Sequence, residues 1–172
     1  MTVLMLRHGQ AEPRGPGIAD SERKLTRKGV RDVRRVMEVA RKAGVRITAV
    51  LRSPLRRAVD TAAIAVKAFD PEIDVIETTS LLPDAATALT IKELQAYASK
   101  DCLLLVGHEP HLSALAADLL GCSDLRIRLK KAALLRIDVR VGKGALEGEL
   151  HWILNPRLVR SVRAARPKKM TD

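Results

Sequence analysis

Three short uncharged segments, each followed at once by a basic residue, constrain the fold of this chain more than any other feature. They are residues 2–6 before Arg7-His8-Gly9, residues 47–51 before Arg52, and residues 103–107 before His108. Uncharged runs of this length are typical of strands that are buried on both faces of a parallel sheet. Because open α/β sheets bind ligands at the carboxyl ends of their strands, we expect these basic side chains to meet at one edge of the sheet.

The segments between these strands have a helical spacing of apolar residues. The first helix is expected to begin after Thr26 as its N-cap and to end at Gly44, with an apolar face of Val30, Val33, Met37, Ala40 and Ala43. Three further helices are expected over residues 54–69 with Pro54 in the first turn, over residues 87–99, and from residue 109 or 110 to Gly121. This alternation predicts an α/β fold with three layers, α/β/α, in which a mostly parallel central sheet has helices on both faces.

The remaining pattern predicts shorter elements and the end of the domain. Residues 75–76 are expected in a short strand, and residues 132–141 and 150–154 are expected to form a hairpin at one edge of the sheet. We expect residues 1–156 to form a single domain and residues 157–172 to form a basic C-terminal tail.

Composition limits the classes of function. A formal net charge of +11 suits phosphate-rich partners, but one Trp, one Tyr and one Phe leave almost nothing that could stack on bases. We therefore expect no nucleic-acid partner.

Cys102 and Cys122 are expected to be free thiols in a reducing compartment. The apolar run at the N-terminus is too short for a signal peptide or a membrane span, so we expect a cytoplasmic protein without membrane association.

Three motifs together resemble those of the histidine phosphatase superfamily, the phosphoglycerate-mutase-like proteins. They are Arg-His-Gly after the first strand, S-P-x-x-R-A-x-x-T-A over residues 53–62, and Val-Gly-His at residues 106–108. The short length and the run over residues 20–26 are most similar to the SixA-type phosphohistidine phosphatases. This resemblance implies a phosphoglycerate-mutase-like fold and a phosphatase that requires no metal or other cofactor.

The resemblance also implies a role for each motif residue. His8 is the expected nucleophile, which would form a phosphohistidine that water then hydrolyses. Arg7, Arg57 and His108 are expected to hold the phosphoryl oxygens, and His108 adds a third positive charge if it is protonated. Four further residues are expected to contact the substrate, with glycine allowing a close backbone approach: Gly9, Arg23, Ser53 and Glu109.

The proton donor is less well defined, because the chain departs from the better-known pattern. Many relatives carry a glutamate in the region that follows the third strand, and residues 81–85 offer no match to it. Asp20 is the first choice, by its place in the run over residues 20–26, and the alternatives are Glu12, Asp84 and Glu109.

The spacing His108-x-x-His111, with Asp118 and Cys122 nearby, resembles a set of metal ligands. No second closely spaced pair completes a zinc site, and we predict no metal centre. His151 alternates with apolar residues on a strand and is interpreted as structural.

The expected substrate is a phosphorylated protein, with inorganic phosphate as the product. The chain is too short for the long insertions that cover the site in the mutases of this family, and an open site suits a bulky substrate. Two alternatives stay open. One is a small phosphorylated compound, and the other is a binding module that keeps the phosphate pocket without turnover.

Overall fold

The computed structural model describes residues 1–142 and 146–164. Within these residues, six strands and five α-helices follow one another. In chain order they are β1 (Thr2–Arg7), α1 (Arg27–Lys42), β2 (Ala49–Arg52), α2 (Arg56–Phe69), β3 (Val75–Glu77), α3 (Thr87–Ala96), β4 (Cys102–Gly107), α4 (His111–Leu119), β5 (Leu134–Val141), β6 (Leu146–Leu154) and α5 (Pro156–Ala164). Two short 3-10 helices lie at Asp20–Glu22 and Thr79–Leu81.

The strands form one sheet in the order β3-β2-β4-β1-β5-β6. The first four strands in this order are parallel, and β5 and β6 form an antiparallel hairpin that extends the sheet at one edge. Arg7 is in register with Gly107, and Arg52 with Val106, so the carboxyl ends of β1, β2 and β4 lie side by side. The predicted mostly parallel sheet, with its hairpin at an edge, is confirmed.

The sheet is buried on both faces, which makes this a three-layer α/β/α fold. On one face Val3, Met5 and Leu105 pack with Leu94 of α3 and Leu112 of α4. On the other face the intervening strand residues pack against α1, α2 and α5; they include Leu4, Leu6, Leu104 and Val106. In β1, β2 and β4 successive residues point to opposite sides and both sides are buried, so these strands carry no charge before their last residues, which is the pattern that predicted them.

Side-chain hydrogen bonds lie at the starts of two helices, α1 and α2. Thr26 caps α1 as predicted, since its hydroxyl oxygen accepts a hydrogen bond from N of Gly29 at 3.1 Å. Pro54 was expected in the first turn of α2, but that helix begins only at Arg56. The hydroxyl oxygen of Ser53 accepts a hydrogen bond from N of Leu55 at 3.3 Å, and this turn separates the strand from the helix.

Ordered structure continues beyond the predicted end of the fold at residue 156. The helix α5 packs against α1, with Val159 buried. Nη1 of Arg160 lies 2.7 Å from Oδ1 of Asp32, a buried carboxylate on α1 that needs a positive partner. Because this segment is rich in basic residues, its sequence did not predict that Val159 would pack on α1. The rest of the predicted tail, residues 165–172, lies outside the described residues.

No helix within residues 1–142 and 146–164 is both long enough and apolar enough to cross a membrane.

Candidate active site

The site lies where β1 and β4 end side by side. Because Arg7 is in register with Gly107, the histidines that follow these two residues become neighbours. The ring centroids of His8 and His108 are 4.9 Å apart, with an angle of 51° between the ring planes. The backbone N of His8 donates to the carbonyl oxygen of Gly107 at 3.0 Å, which extends the strand pairing into the site. His8 and His108 meet here as expected, whereas Arg52 pairs with β3, its Nη1 lying 2.7 Å from Oε2 of Glu77.

The ring of His8 is held in one orientation and is uncharged. Its Nδ1 lies 2.7 Å from the carbonyl oxygen of Gly9, and a carbonyl oxygen can only accept, so Nδ1 carries the proton. Burial lowers the pKa of His8 to about 3, the hydrogen bond to Gly9 opposes this shift, and the positive charges of Arg57 and Arg7 reinforce it. At neutral pH, Nε2 therefore has a free lone pair.

His108 is also neutral in this structure. Burial, with the neighbouring His8 and the charge of Arg57, lowers its pKa to about 3. Its Nε2 lies 2.8 Å from the hydroxyl oxygen of Ser53, which fixes the ring plane. The third positive charge that a protonated His108 would supply is therefore absent here, and a bound phosphate dianion would favour its protonation.

Two arginines point buried donors into the site. Nη1 of Arg7 donates to the carbonyl oxygen of Leu129 at 2.7 Å, and Nη1 of Arg57 donates to the carbonyl oxygen of Asp20 at 2.8 Å. Nε of each arginine is buried without a hydrogen-bond partner among the described residues. Planar guanidinium donors that the protein leaves unsatisfied are suited to phosphate oxygens.

Thr61 and Gly29 contribute to the site although the sequence analysis assigned neither of them a role. The hydroxyl of Thr61 accepts from N of Gly9 at 3.1 Å and donates to the carbonyl oxygen of Arg57 at 2.7 Å, so it ties α2 to the nucleophile loop. A Cβ on Gly9 would lie 2.9 Å from Cγ2 of Val33 and 3.0 Å from the carbonyl oxygen of Gly29. The glycine at position 9 is therefore needed for its packing on α1.

Asp20 lies at the site, but its carboxylate is surrounded by arginines. Oδ1 accepts from Nε of Arg14 at 2.9 Å and from Nε of Arg23 at 3.0 Å, and Oδ2 lies 3.1 Å from Nη1 of Arg57. Partial burial alone would raise its pKa, but the hydrogen bonds from Arg14 and Arg23 and the charge of Arg57 lower it to about 2. Asp20 is therefore ionised at neutral pH and positions Arg57.

Glu109 has the opposite environment. Burial raises the pKa of its carboxyl, while the hydrogen bond with Ser113 and the charge of Arg7 act against this shift. Oε2 lies 2.6 Å from the hydroxyl oxygen of Ser113, which also lies 2.9 Å from the carbonyl oxygen of Ile127. The hydroxyl of Ser113 donates to Oε2 of Glu109, so this hydrogen bond favours the ionised carboxylate, whereas burial favours the protonated carboxyl.

The other two carboxyl groups have no such environment. Glu12 accepts from N of Lys24 at 3.2 Å, while its own carbonyl oxygen accepts from Arg23 at 2.7 Å. Asp84 is exposed. Neither is held against the histidines by any hydrogen bond among the described residues.

The histidines outside the site have other contacts. Nδ1 of His111 lies 3.0 Å from the carbonyl oxygen of Ala85, and its Nε2 lies 3.0 Å from the hydroxyl of Thr90, so both ring nitrogens are engaged. Nε2 of His151 lies 3.1 Å from Oδ2 of Asp138, at the opposite edge of the sheet. Within the described ranges, no three His, Cys, Asp or Glu side chains are grouped so that they could hold a metal ion.

Comparisons with known proteins agree with this geometry. A family model described as histidine phosphatase superfamily (branch 1) matches residues 3–81. An uncharacterized protein of Picosynechococcus sp. is 31% identical over 165 residues, which cover 91% of this chain and 98% of the relative. The solved structure of the protein histidine phosphatase SixA complexed with tungstate has a TM-score of 0.82 and 25% identity, with 92% of this chain and 99% of that chain covered.

A mycobacterial glucosyl-3-phosphoglycerate phosphatase, solved with VO3, shares the fold at a TM-score of 0.69 and 18% identity, over 88% of this chain and 98% of that chain. The fold thus occurs in proteins whose names specify different phosphorylated substrates. The family model spans residues 3–81, a range that includes Arg7, His8 and Arg57, and the structural match to SixA covers 92% of this chain. The chain belongs to the histidine phosphatase superfamily and is a phosphatase.

Proposed function

We propose that this phosphatase removes the phosphoryl group from phosphohistidine side chains of cytoplasmic proteins, through a phosphohistidine formed on His8. The observation that carries this proposal is the state of His8. Its ring is neutral, its Nδ1 proton is held by Gly9, and its Nε2 is free beside two arginines whose Nε donors have no protein acceptor.

In the first step, the Nε2 lone pair of His8 forms a bond to phosphorus while the bond from phosphorus to the leaving nitrogen breaks. Arg7 and Arg57 stabilise the charge on the three equatorial oxygens. The leaving imidazole takes a proton as it departs. In the second step, water attacks phosphorus and gives a proton to the group that protonated the leaving imidazole, the bond from phosphorus to Nε2 of His8 breaks, and inorganic phosphate is released with His8 and the proton donor in their original states.

We assign the proton donor to Glu109. Burial raises the pKa of this carboxyl and so favours its protonated form, although the hydrogen bond from Ser113 opposes that shift. It directly follows His108 in the chain, and its charge interacts with that of Arg7, so it lies close to the reacting phosphate. Asp20, which is ionised and paired with arginines, serves this reaction as the positioning residue of Arg57.

Similarity to SixA supports the phosphohistidine substrate, and a small phosphomonoester is the other substrate class that the fold accommodates. The two are separated by comparing kcat/KM on a phosphohistidine peptide, prepared with phosphoramidate, with kcat/KM on glycerol phosphate and on sugar phosphates. We expect the peptide to be preferred at least tenfold.

His8→Ala should lower the rate on every substrate by about three orders of magnitude or more, because the covalent route is lost. His151→Ala is the matched control, since this histidine lies at the opposite edge of the sheet. A preference for a small phosphomonoester would reject the phosphohistidine assignment. Binding of phosphopeptide without turnover would show a binding module.

A further inference from the structure

A basic groove, with a volume of about 500 Å³, lies directly beside Arg7 of the active site. Six positively charged side chains line it, namely Arg7, Lys28, Lys130, Lys131, Arg157 and Arg160, and Asp32 is the one carboxylate among the described residues that line it. The phosphatase chemistry proposed above uses only Arg7 from this set. Lys28 and Arg160 pair with Asp32, so the charges of Lys130, Lys131 and Arg157 need another explanation.

The turn before β5 brings the two lysines to the site. Nη1 of Arg7 donates to the carbonyl oxygen of Leu129, and N of Ala132 donates to the carbonyl oxygen of Arg7 at 3.1 Å. Ala132 has φ 62°, a left-handed conformation that non-glycine residues rarely adopt. Leu129 and Ala132 are buried, while Lys130 and Lys131 between them are exposed. The turn therefore presents two ammonium groups next to the phosphate-binding arginine.

On the other wall, Asp32 is already neutralised. Its two carboxylate oxygens lie 2.8 Å from Nζ of Lys28 and 2.7 Å from Nη1 of Arg160. Lys130, Lys131 and Arg157 form no ion pair with any carboxylate of the described residues.

Burial lowers the pKa of Lys131, and repulsion from Arg7, Arg23 and Arg57 lowers it further. These charges repel one another in the protein alone, so an anionic partner in the groove would relieve that repulsion.

We propose that this basic groove binds acidic side chains that flank the phosphorylated residue of a protein substrate. The proposal rests on the proposed function and adds a substrate preference to it. Because the groove starts at Arg7, it reaches groups that lie close to the transferred phosphoryl. Flexible lysines suit carboxylates spread over a protein surface, whereas a single second phosphate is better held by a rigid arginine fork.

The extent of the charged surface favours a protein partner. A second cavity of about 600 Å³ shares Gln10 and Lys131 with the groove and continues to Arg14 and Arg23. The basic surface thus runs along one side of the phosphate site over two adjoining cavities. An extended peptide segment would contact both, but a small bisphosphate would reach only one.

The test compares two phosphohistidine peptides of equal length, one with aspartates and one with asparagines at the flanking positions. We expect kcat/KM to be at least tenfold higher for the aspartate peptide at low ionic strength, and the difference to shrink as salt is added. Lys130→Glu and Arg157→Glu, each made separately, should remove or invert this preference. Lys100→Glu, an exposed site just before β4 at the opposite edge of the sheet, makes the same charge change and should retain it.

Each outcome decides between separate claims. Hydrolysis of both peptides at equal rates in the wild-type protein would overturn the groove proposal and leave the proposed function standing. No hydrolysis of either peptide, with turnover of small phosphomonoesters, would overturn both.

Stronger inhibition by single-stranded DNA than by a polyaspartate of equal charge would show a nucleic-acid surface, and preference for a sugar bisphosphate over its monophosphate would show a small-molecule subsite. Either result would reject acidic protein segments as the partner.

Discussion

Nδ1 of His8 lies 2.7 Å from the carbonyl oxygen of Gly9, and this contact decides which ring nitrogen is available to react. The acceptor is a backbone atom of the next residue, so the tautomer is set by main-chain geometry and not by a second titrating side chain. The reactive nitrogen is therefore Nε2, on the side of the ring away from the Gly9 carbonyl.

The first prediction is that turnover phosphorylates His8 at Nε2. Rapid denaturation in alkali after mixing with labelled substrate should trap an alkali-stable, acid-labile adduct, and mass spectrometry should place it on the peptide that contains His8. Chromatography against both phosphohistidine isomers should identify the Nε2 isomer. Label on Ser53, or phosphorylation at Nδ1, would contradict the assignment of nucleophile or tautomer.

A second prediction separates Glu109 from Asp20. Glu109→Gln keeps the size of the side chain and removes the acid, so we expect single-turnover phosphorylation by an alkyl phosphate to fall about a hundredfold. An activated aryl phosphate, whose leaving group needs little protonation, should be affected much less. Asp20→Asn removes the charge that positions Arg57 and should slow both substrates by similar factors.

Single-turnover rates are required because steady-state rates can be limited by hydrolysis of the phosphoenzyme. A loss confined to the alkyl phosphate in Asp20→Asn, with none in Glu109→Gln, would reverse the two assignments.

The third prediction concerns stability against pH. Burial lowers the pKa of His8 and of His108 to about 3, below the value of an unfolded histidine. The unfolded chain therefore binds more protons as the pH falls from about 6.5 towards 3, and folding stability declines across this window. In its middle, each histidine should contribute a slope of about 1.4 kcal/mol per pH unit.

His8→Asn should flatten this decline by about the slope of one histidine, as measured by urea unfolding at several pH values without phosphate. Val159→Ala, which removes no titratable group, is the control for a general loss of stability. A slope in His8→Asn identical to that of the wild type would show that the native ring is protonated in this range.

The fourth prediction is that Gly29→Ala destabilises the protein although it lies in a helix. Helix propensity alone would favour alanine by about 1 kcal/mol. However, a Cβ at this position would lie 2.8 Å from N of Gln10 and would also overlap its carbonyl oxygen. We expect a net loss of about 1–3 kcal/mol in the free energy of unfolding. Gly15→Ala, where a Cβ meets nothing within 4 Å, should change stability by less than about 0.5 kcal/mol.

A fifth prediction tests the C-terminal helix. Val159 is buried and Val162 is 60% exposed, although both lie on α5. Val159→Ala should lower the free energy of unfolding by about 1–2 kcal/mol through loss of two buried methyl groups, and Val162→Ala by less than about 0.5 kcal/mol. Chemical denaturation of the two variants measures both values. Equal effects would show that α5 does not pack on α1 in solution.

The sequence by itself determined the sheet and the meeting of its basic residues. Uncharged strands and amphipathic helices are encoded locally, because side-chain periodicity reports burial on one or both faces. Parallel strands end at one edge, so the strand pattern was sufficient to predict that Arg7, His8 and His108 converge, and the family resemblance added Arg57.

Only the tertiary structure decided the protonation states and the roles of the acidic residues. The pKa of a group depends on its burial and on every nearby charge, and those neighbours come from distant parts of the chain. Ser53 contacts His108 across 55 residues, and Arg57 holds Asp20 across 37, so neither contact has a local signal. In the same way, the sequence of α5 alone predicts only a basic tail. Its packing depends on Arg160, which pairs with the buried carboxylate of Asp32, 128 residues earlier in the chain.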